Sequence, residues 1–345
     1  MKQGNKFGVH RVLEPEGVLP QPAEKIDNTM EIYDNEILIE VETLNIDSAS
    51  FTQIKEEAGG DLEKIKKRMK EIVDQRGKHH NPVTGSGGML IGRVAEIGPS
   101  LQDREIEVGN KIATLVSLSL TPLRIDKIKD IRPEIDQVDI EGQAILFESG
   151  IYARLPGDVS ETLALAVLDV AGAAAQTARL VRPGDRVLII GAGGKSGMLC
   201  LHEASKRAGV TGQVIGMGHS DASTARIREL NLADDIIQAD ATNPLEVYDQ
   251  VQELTGGWLA DVVINCVNIN NTEMASILPC AEGGKIYFFS MATSFTKAAL
   301  GAEGVGRDVE MIIGNGYTRD HDKISLEILR ENDLLREIFE RMYVS

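Results

Sequence analysis

The sequence predicts an α/β protein in two parts, a β-rich and partly closed barrel followed by a doubly wound parallel sheet. Three observations predict it. Residues 36–46, EILIEVETLNI, alternate acid and aliphatic in the two-residue period of a half-buried strand. Beyond Gly150, short and almost wholly apolar runs alternate strictly with helical periodicity, the pattern of parallel strands covered on both faces. One of those runs, VLII, leads straight into a glycine-rich turn and then a helix.

Taken in order, the first strand places Ile37, Ile39 and Val41 on one face. Residues 61–77, DLEKIKKRMKEIVDQRG, carry Leu62, Ile65, Met69, Ile72 and Val73 at three- and four-residue steps. Asp61 stands where an N-cap belongs and Gly77 where a helix stops, so an amphipathic helix is expected. Its basic cluster (Lys64, Lys66, Lys67, Arg68, Lys70) reads as a solvated face in preference to an anion site. After the loop TGSGG at 84–88, MLIGRVAEIG and EVGNKIATLVSLSL read as short strands with glycine corners, which is what suggests the barrel. The second part runs VLIIG (187–191), a helix over 196–208, QVIGMG (213–218), a helix over 223–230, DDIIQA, the helix PLEVYDQVQEL, DVVINCV and KIYFFS. The stretch ISLEILRENDLLREIFERM is expected as one helix with Leu326, Leu329, Leu334 and Ile338 facing inward. Boundaries follow at 1–155, 156–320 and 321–345.

Composition narrows the function. A chain of 345 residues exceeds the ~150-residue prior for one domain, and 42% hydrophobic with 26% charged residues is ordinary globular usage. A net charge of −17 repels phosphate backbones, so nucleic acid is not an expected partner. Cys200, Cys266 and Cys280 form no Cys-x-x-Cys, which argues against a disulfide framework or zinc knuckle and for a reducing compartment. MKQGNKFGVHRVLEPEG lacks the pattern of a signal peptide, and no run approaches 18 apolar residues. A cytoplasmic location without membrane partners is the expectation.

The turn Gly191-Ala-Gly193-Gly194-Lys195-Ser196-Gly197 sits between strand and helix, the context a dinucleotide site requires. One glycine makes the turn, one admits the pyrophosphate to the backbone, and one lets helix and strand pack closely, while the helix N-terminus offers free N–H donors. About 20 residues on, where an NAD site carries a carboxylate, stand Gly218, His219 and Ser220. NADP is therefore favoured over NAD, with His219, Ser220 and Arg226 as 2′-phosphate contacts. Asp221, one residue farther, leaves the ribose alternative open. Position beyond the strand ends assigns Asn265, Cys266, Val267, Asn268, Ser290 and Met291 to the nicotinamide half.

The segments LNIDSASF, GGMLIGRVAEIG, VGNKIATL and RPGDRVLIIGAGGKSG, in that order, resemble the medium-chain dehydrogenase/reductase superfamily over about residues 30–320. The resemblance implies a GroES-like catalytic barrel joined to a Rossmann domain, NAD(P)-linked hydride transfer, and a homodimer formed through the last strand of the Rossmann sheet, with KIYFFSMATSF as its apolar edge. RGKHHNPVTGSGGMLIGRV and DVAGAAAQTARLVRPGD are similar to a zinc-free branch that oxidatively deaminates a diamino acid. Where the zinc-using branch has its catalytic Cys, this sequence has Asp47; where that branch has a His-Glu pair, it has Gly88 and Met89. No metal is implied.

Amine oxidation needs a group that takes a proton from the ammonium and stabilises the cationic imine, which suits a carboxylate. Asp47 leads, against the reading of a turn aspartate capping local backbone. Asp169, an acid inside the apolar run AVLDVAGAAA, is expected buried, sharing proton transfer or capping the next helix. Glu148 in LFESG is the third candidate. Arg93, Arg124 and the basic helix are possible carboxylate sites, and His79 and His80 are read as exposed in preference to proton shuttles. Two other functions fit the same outline: a zinc-less quinone or enoyl reductase, separated by an ammonia requirement, and a non-catalytic NADPH sensor, separated by binding without turnover.

Overall fold

The computed structural model describes residues 2–290, 292–314 and 316–344. It divides into two units, Met1–Asp158 and Val159–Ser345.

In the first unit, β1 (Val12–Glu14) and β2 (Lys25–Ile26) form a short antiparallel pair. The main strand β3 spans Glu36–Ile46 and is followed by helices α1 (Ser48–Glu57) and α2 (Leu62–Arg76). Then come β4 (Gly88–Ile97), β5 (Lys111–Thr114), β6 (Leu123–Arg132), β7 (Gln137–Phe147) and β8 (Tyr152–Arg154). These make a six-stranded antiparallel sheet in the order β6-β7-β3-β4-β5-β8. In β3 the buried aliphatic residues are Ile37, Ile39 and Val41, then Leu44 and Ile46. The change of parity falls at the register shift between Val41 and Thr43, where an extra residue turns the following side chains to the other face. Asp61 caps α2 by accepting from the Glu63 and Lys64 amides, and Gly77 closes it in the left-handed conformation. Ile65, Met69, Ile72 and Val73 are buried as expected, whereas Leu62 in the first turn is exposed. The basic residues of α2 pair with Glu57, Asp61, Glu63, Glu71 and Asp74.

The run Arg76-Gly77-Lys78-His79-His80 departs from its expectation of exposed histidines. Lys78 is fully buried, its ammonium donating to the carbonyls of Pro20 (2.6 Å) and Gln21 (2.9 Å), while Arg76 donates to the carbonyls of Glu24 and His80. The run straps the N-terminal segment to the sheet. Burial lowers the Lys78 ammonium to about 7 and both imidazoles to about 4. A histidine ordinarily titrates near ~6.5, so between there and about 4 the unfolded chain binds a proton at His79 that the folded chain refuses. Stability from this site is complete above that range and is lost as pH falls through it, by on the order of 3 kcal/mol for the fully buried ring. Urea midpoints at pH 7 and 4.5 should therefore fall less for His79→Gln than for the wild type; equal falls would refute the assignment.

The second unit begins with α3 (Glu161–Leu168) and α4 (Ala171–Leu180). Strands β9 (Arg186–Ile190), β10 (Gln213–Gly218), β11 (Asp235–Gln238), β12 (Ala260–Asn265), β13 (Cys280–Phe288) and β14 (Glu310–Ile313) form a parallel sheet ordered β11-β10-β9-β12-β13-β14. Helices α5 (Lys195–Ala208), α6 (Asp221–Leu230), α7 (Pro244–Leu254), α8 (Glu273–Ile277) and α9 (Phe295–Gly304) supply the connections. The chain winds outward from β9 and returns to β12 beside it, so the switch point lies between those two strands. KIYFF does not form an edge: β13 is paired on both sides, with β12 and β14, and the edge strand on that side is β14. The C-terminal stretch is two helices, α10 (His321–Glu331) and α11 (Asp333–Tyr343), which belong to this unit. Asn332 leaves helical geometry and caps α11 through the Leu335 amide, so Leu326, Leu329 and Ile338 are buried but Leu334 is exposed. No single helix among the described residues is long and apolar enough to cross a membrane.

Candidate functional site

The glycine turn lies at the carboxyl end of β9, at the switch point. Gly191 has φ 83°, a left-handed backbone that strongly favours glycine. A Cβ on Gly193 would lie 2.3 Å from the Ser223 carbonyl oxygen, and one on Gly197 would lie 2.1 Å from that of Gly191. Both contacts are with backbone, so neither position accommodates a side chain without displacing the turn. Gly194 is the N-cap of α5 and no side chain caps that helix, which leaves its first-turn N–H groups to an anion. Ser196 is buried in that turn. Lys195 is held by Asp169 at 3.0 Å and lies 5.1 Å from the Tyr343 ring.

Asp169 is therefore not the buried acid the sequence suggested. It ends α3 as C-cap with its carboxylate about half exposed, and Val170, the N-cap of α4, gives that helix no side-chain cap. The apolar run is two helices, and the acid marks the corner between them.

At the end of β10, His219 is exposed and Ser220 caps α6 in a reciprocal box with Ser223. Arg226 donates from Nε to the Gly193 carbonyl at 2.7 Å, bracing the glycine turn. Two of the three groups expected on a 2′-phosphate are thus already engaged. Two acids flank them. Asp221 accepts from Gln238 at 2.9 Å, and Asp240, which the sequence reading missed, follows β11. The Thr242 amide and hydroxyl, with a smaller contribution from His219, hold the Asp240 carboxyl below its ordinary range.

Beyond β12, Val267 covers Gly191, with its Cγ2 2.9 Å from where a Cβ there would stand. Asn268 accepts from the Ser290 hydroxyl at 3.3 Å, joining the loops that follow β12 and β13. Asn265 is buried and donates to Thr272 and Ser276, a packing role. Cys266 lies 3.8 Å, sulfur to sulfur, from Cys200. Met291 lies outside the described residues.

In the first unit, Asp47 is exposed and is the N-cap of α1, a helix the sequence reading did not anticipate. Its Oδ1 accepts from the Ala49 amide and from the Ser86 hydroxyl, each at 3.1 Å. Among the described residues Oδ2 has no hydrogen-bond partner. Gly88 packs against the same backbone: a Cβ there would lie 2.1 Å from the Asn45 carbonyl oxygen and 2.9 Å from the Asp47 nitrogen. The position that carries a histidine ligand in the zinc-using branch has no room for a side chain here. Glu148 accepts from Asn35 at 3.0 Å, and its neighbour Phe147 pairs with Glu36 at the start of β3. Asp47 follows the other end of that 11-residue strand, about 30 Å away at ~3.3 Å per residue. The structure does not bring these two acids together. Arg93 pairs with Glu42, and Arg124 with Asp126 and Gln143. Among the described residues one His and carboxylate group, His202, Glu203 and Glu331, has metal-ligand spacing, but Arg207 and Lys206 already pair with its acids.

The structure resembles that of the CurK enoyl reductase, with a TM-score of 0.54 at 16% identity, covering 96% of this chain and 85% of that one. The expected fold, a Rossmann-type parallel sheet with a separate antiparallel β unit, is therefore shown. The family model described as "L-erythro-3,5-diaminohexanoate dehydrogenase N-terminal domain" matches residues 10–156. L-erythro-3,5-diaminohexanoate dehydrogenase of Acetoanaerobium sticklandii is 62% identical over 99% of this chain and all of its own length. The enzyme of that name from Fusobacterium nucleatum subsp. nucleatum is 62% identical over the whole of both chains. By this full-length identity the protein is an oxidoreductase, and the chain belongs to the L-erythro-3,5-diaminohexanoate dehydrogenase family.

Proposed function

We propose that the protein oxidatively deaminates L-erythro-3,5-diaminohexanoate to 5-amino-3-oxohexanoate and ammonia, in the breakdown of lysine. The observation that carries this is the 62% identity, end to end, with two relatives of that name. Asp47 supports the chemistry. Its unpartnered Oδ2 is suited to hold the reacting ammonium and take its proton, freeing the nitrogen lone pair to expel hydride from the adjacent carbon. Once that proton has passed to solvent, the restored carboxylate stabilises the cationic imine, which water hydrolyses to ketone and ammonium. A bound nicotinamide ring supplies the hydride acceptor. Gly191, Gly193, Gly194 and Gly197 let the backbone approach its pyrophosphate, with α5 supplying N–H donors. No Lewis-acidic ion enters this scheme, and the filled space at Gly88 supports that reading.

For the dinucleotide, the engaged Ser220 and Arg226 and the carboxylates of Asp221 and Asp240 support NAD over the NADP favoured from sequence. Negative charge beside the ribose repels a 2′-phosphate. The test is a spectrophotometric assay with 3,5-diaminohexanoate and each dinucleotide. The expected result is turnover with a higher kcat/KM for NAD and, in reverse, ketone reduction that requires ammonium. Reduction of an enone or quinone without ammonium would replace the amine reading, and a higher kcat/KM for NADP would overturn the cofactor assignment.

A further inference from the structure

Three hydroxyls are gathered behind Asp47. Ser50, in the first turn of α1, lies 2.5 Å from the Thr84 hydroxyl and 2.6 Å from that of Ser86, and Thr84 and Ser86 are 3.1 Å apart. Ser86 in turn donates to Asp47 Oδ1. The cluster is graded in exposure: Ser50 is fully buried, Ser86 half-buried and Thr84 exposed. Its backbone is fixed. The Asn81 amide donates to the Ser86 carbonyl, Gly85 donates back to Asn81, and the Asp47 amide reaches the Gly87 carbonyl. The Asn81 side chain donates to Gln53 Oε1 in α1, at 2.9 Å.

A hydroxyl both donates and accepts, so a run of them reverses its hydrogen-bond direction by rotating O–H bonds, without moving heavy atoms. We propose that Ser86, with Ser50 and Thr84, forms a proton relay between Asp47 and solvent, serving the amine chemistry assigned to Asp47 above. This inference rests on that assignment. When Asp47 has taken the ammonium proton on Oδ2, a half-turn of the carboxyl presents the O–H to Ser86. Ser86 accepts that proton and passes its own to Ser50 or Thr84, and Thr84 releases one to water. One proton enters, one leaves, and each hydroxyl ends neutral. The route matters once bound substrate covers Oδ2, because the only other exit for the proton is back to the substrate.

The test compares Ser86→Ala, Ser86→Thr and Asp47→Asn as full-length enzyme, with 3,5-diaminohexanoate and dinucleotide. Ser86→Ala is expected to lower kcat roughly tenfold or more with little change in dinucleotide KM. Small proton-carrying buffers such as imidazole should restore much of that loss, and Ser86→Thr, which keeps a hydroxyl, should stay near the wild type. Thermal unfolding of each variant reports whether the loop has come loose. A Ser86→Ala loss that no buffer restores, or wild-type kcat in that variant while Asp47→Asn is inactive, overturns the relay alone. Full activity of Asp47→Asn overturns the assignment on which the relay rests.

Discussion

Replacing Asp47 by asparagine is expected to lower kcat by roughly a hundredfold to ten-thousandfold, the range lost when a general acid/base group is removed. The substitution is informative because Asp47 has two roles that asparagine separates. As N-cap of α1, the side chain satisfies the Ala49 amide through Oδ1. Asparagine caps as well as aspartate, so helix and fold should remain, and the Ser86 hydroxyl keeps an acceptor. What asparagine lacks is a site that takes a proton. Alanine would remove the cap as well, at about 1 kcal/mol, and confuse the two effects. Steady-state kinetics with unfolding midpoints and dinucleotide binding checks this. A variant within threefold of wild-type kcat shows that Asp47 only caps, and shifts attention to Asp169, which lies beside Lys195 at the glycine turn.

The different legibility of these features has physical causes. The strand at 36–46, the helix at 62–76 and the glycine turn could be read because each is specified locally, by alternation, by a cap and stop, and by backbone crowding that excludes a Cβ. Asp47 stands out by position, yet α1 does not: SASFTQIKEE is short and weakly amphipathic, and its N-cap is an acid that the sequence marks for chemistry as readily as for capping. Asp169 misled because an acid amid aliphatic residues looks buried, whereas a corner between two helices exposes one residue of an otherwise internal run. The hydroxyls of Ser50, Thr84 and Ser86 carry no sequence signal at all. Their meeting depends on how loop 81–87 folds over the start of α1, a contact between residues more than 30 positions apart.

The same dependence on distant partners governs the largest expected loss of stability. Arg11 and Glu36, 25 residues apart, are both fully buried and form a two-pronged pair with both nitrogen–oxygen distances at 2.7 Å. Arg11 also donates to the carbonyls of Thr29 and Glu31, and His10 reaches the same carboxylate at 2.9 Å. Burial pushes the Glu36 carboxyl up, but hydrogen bonds from Arg11, His10 and the Tyr33 amide outweigh it and hold the group down at about 2. Arg11→Met therefore leaves a buried carboxylate that has lost its guanidinium and keeps only His10 and the Tyr33 amide, expected to cost about 3–5 kcal/mol, a large share of an ordinary domain's stability. Adding Glu36→Gln should recover part of the loss, because it removes the stranded charge, though the carbonyls of Thr29 and Glu31 still lack a donor. Since the folded carboxyl titrates well below its unfolded value, the stabilisation is present above about 4.5 and fades as pH falls toward about 2. Urea unfolding of the single and double variants decides the matter: a single variant within 1 kcal/mol of the wild type would mean the pair contributes little. Glu36 opens the strand whose last residue, Ile46, precedes Asp47, so the pair anchors the far end of the element that leads into the proposed chemistry.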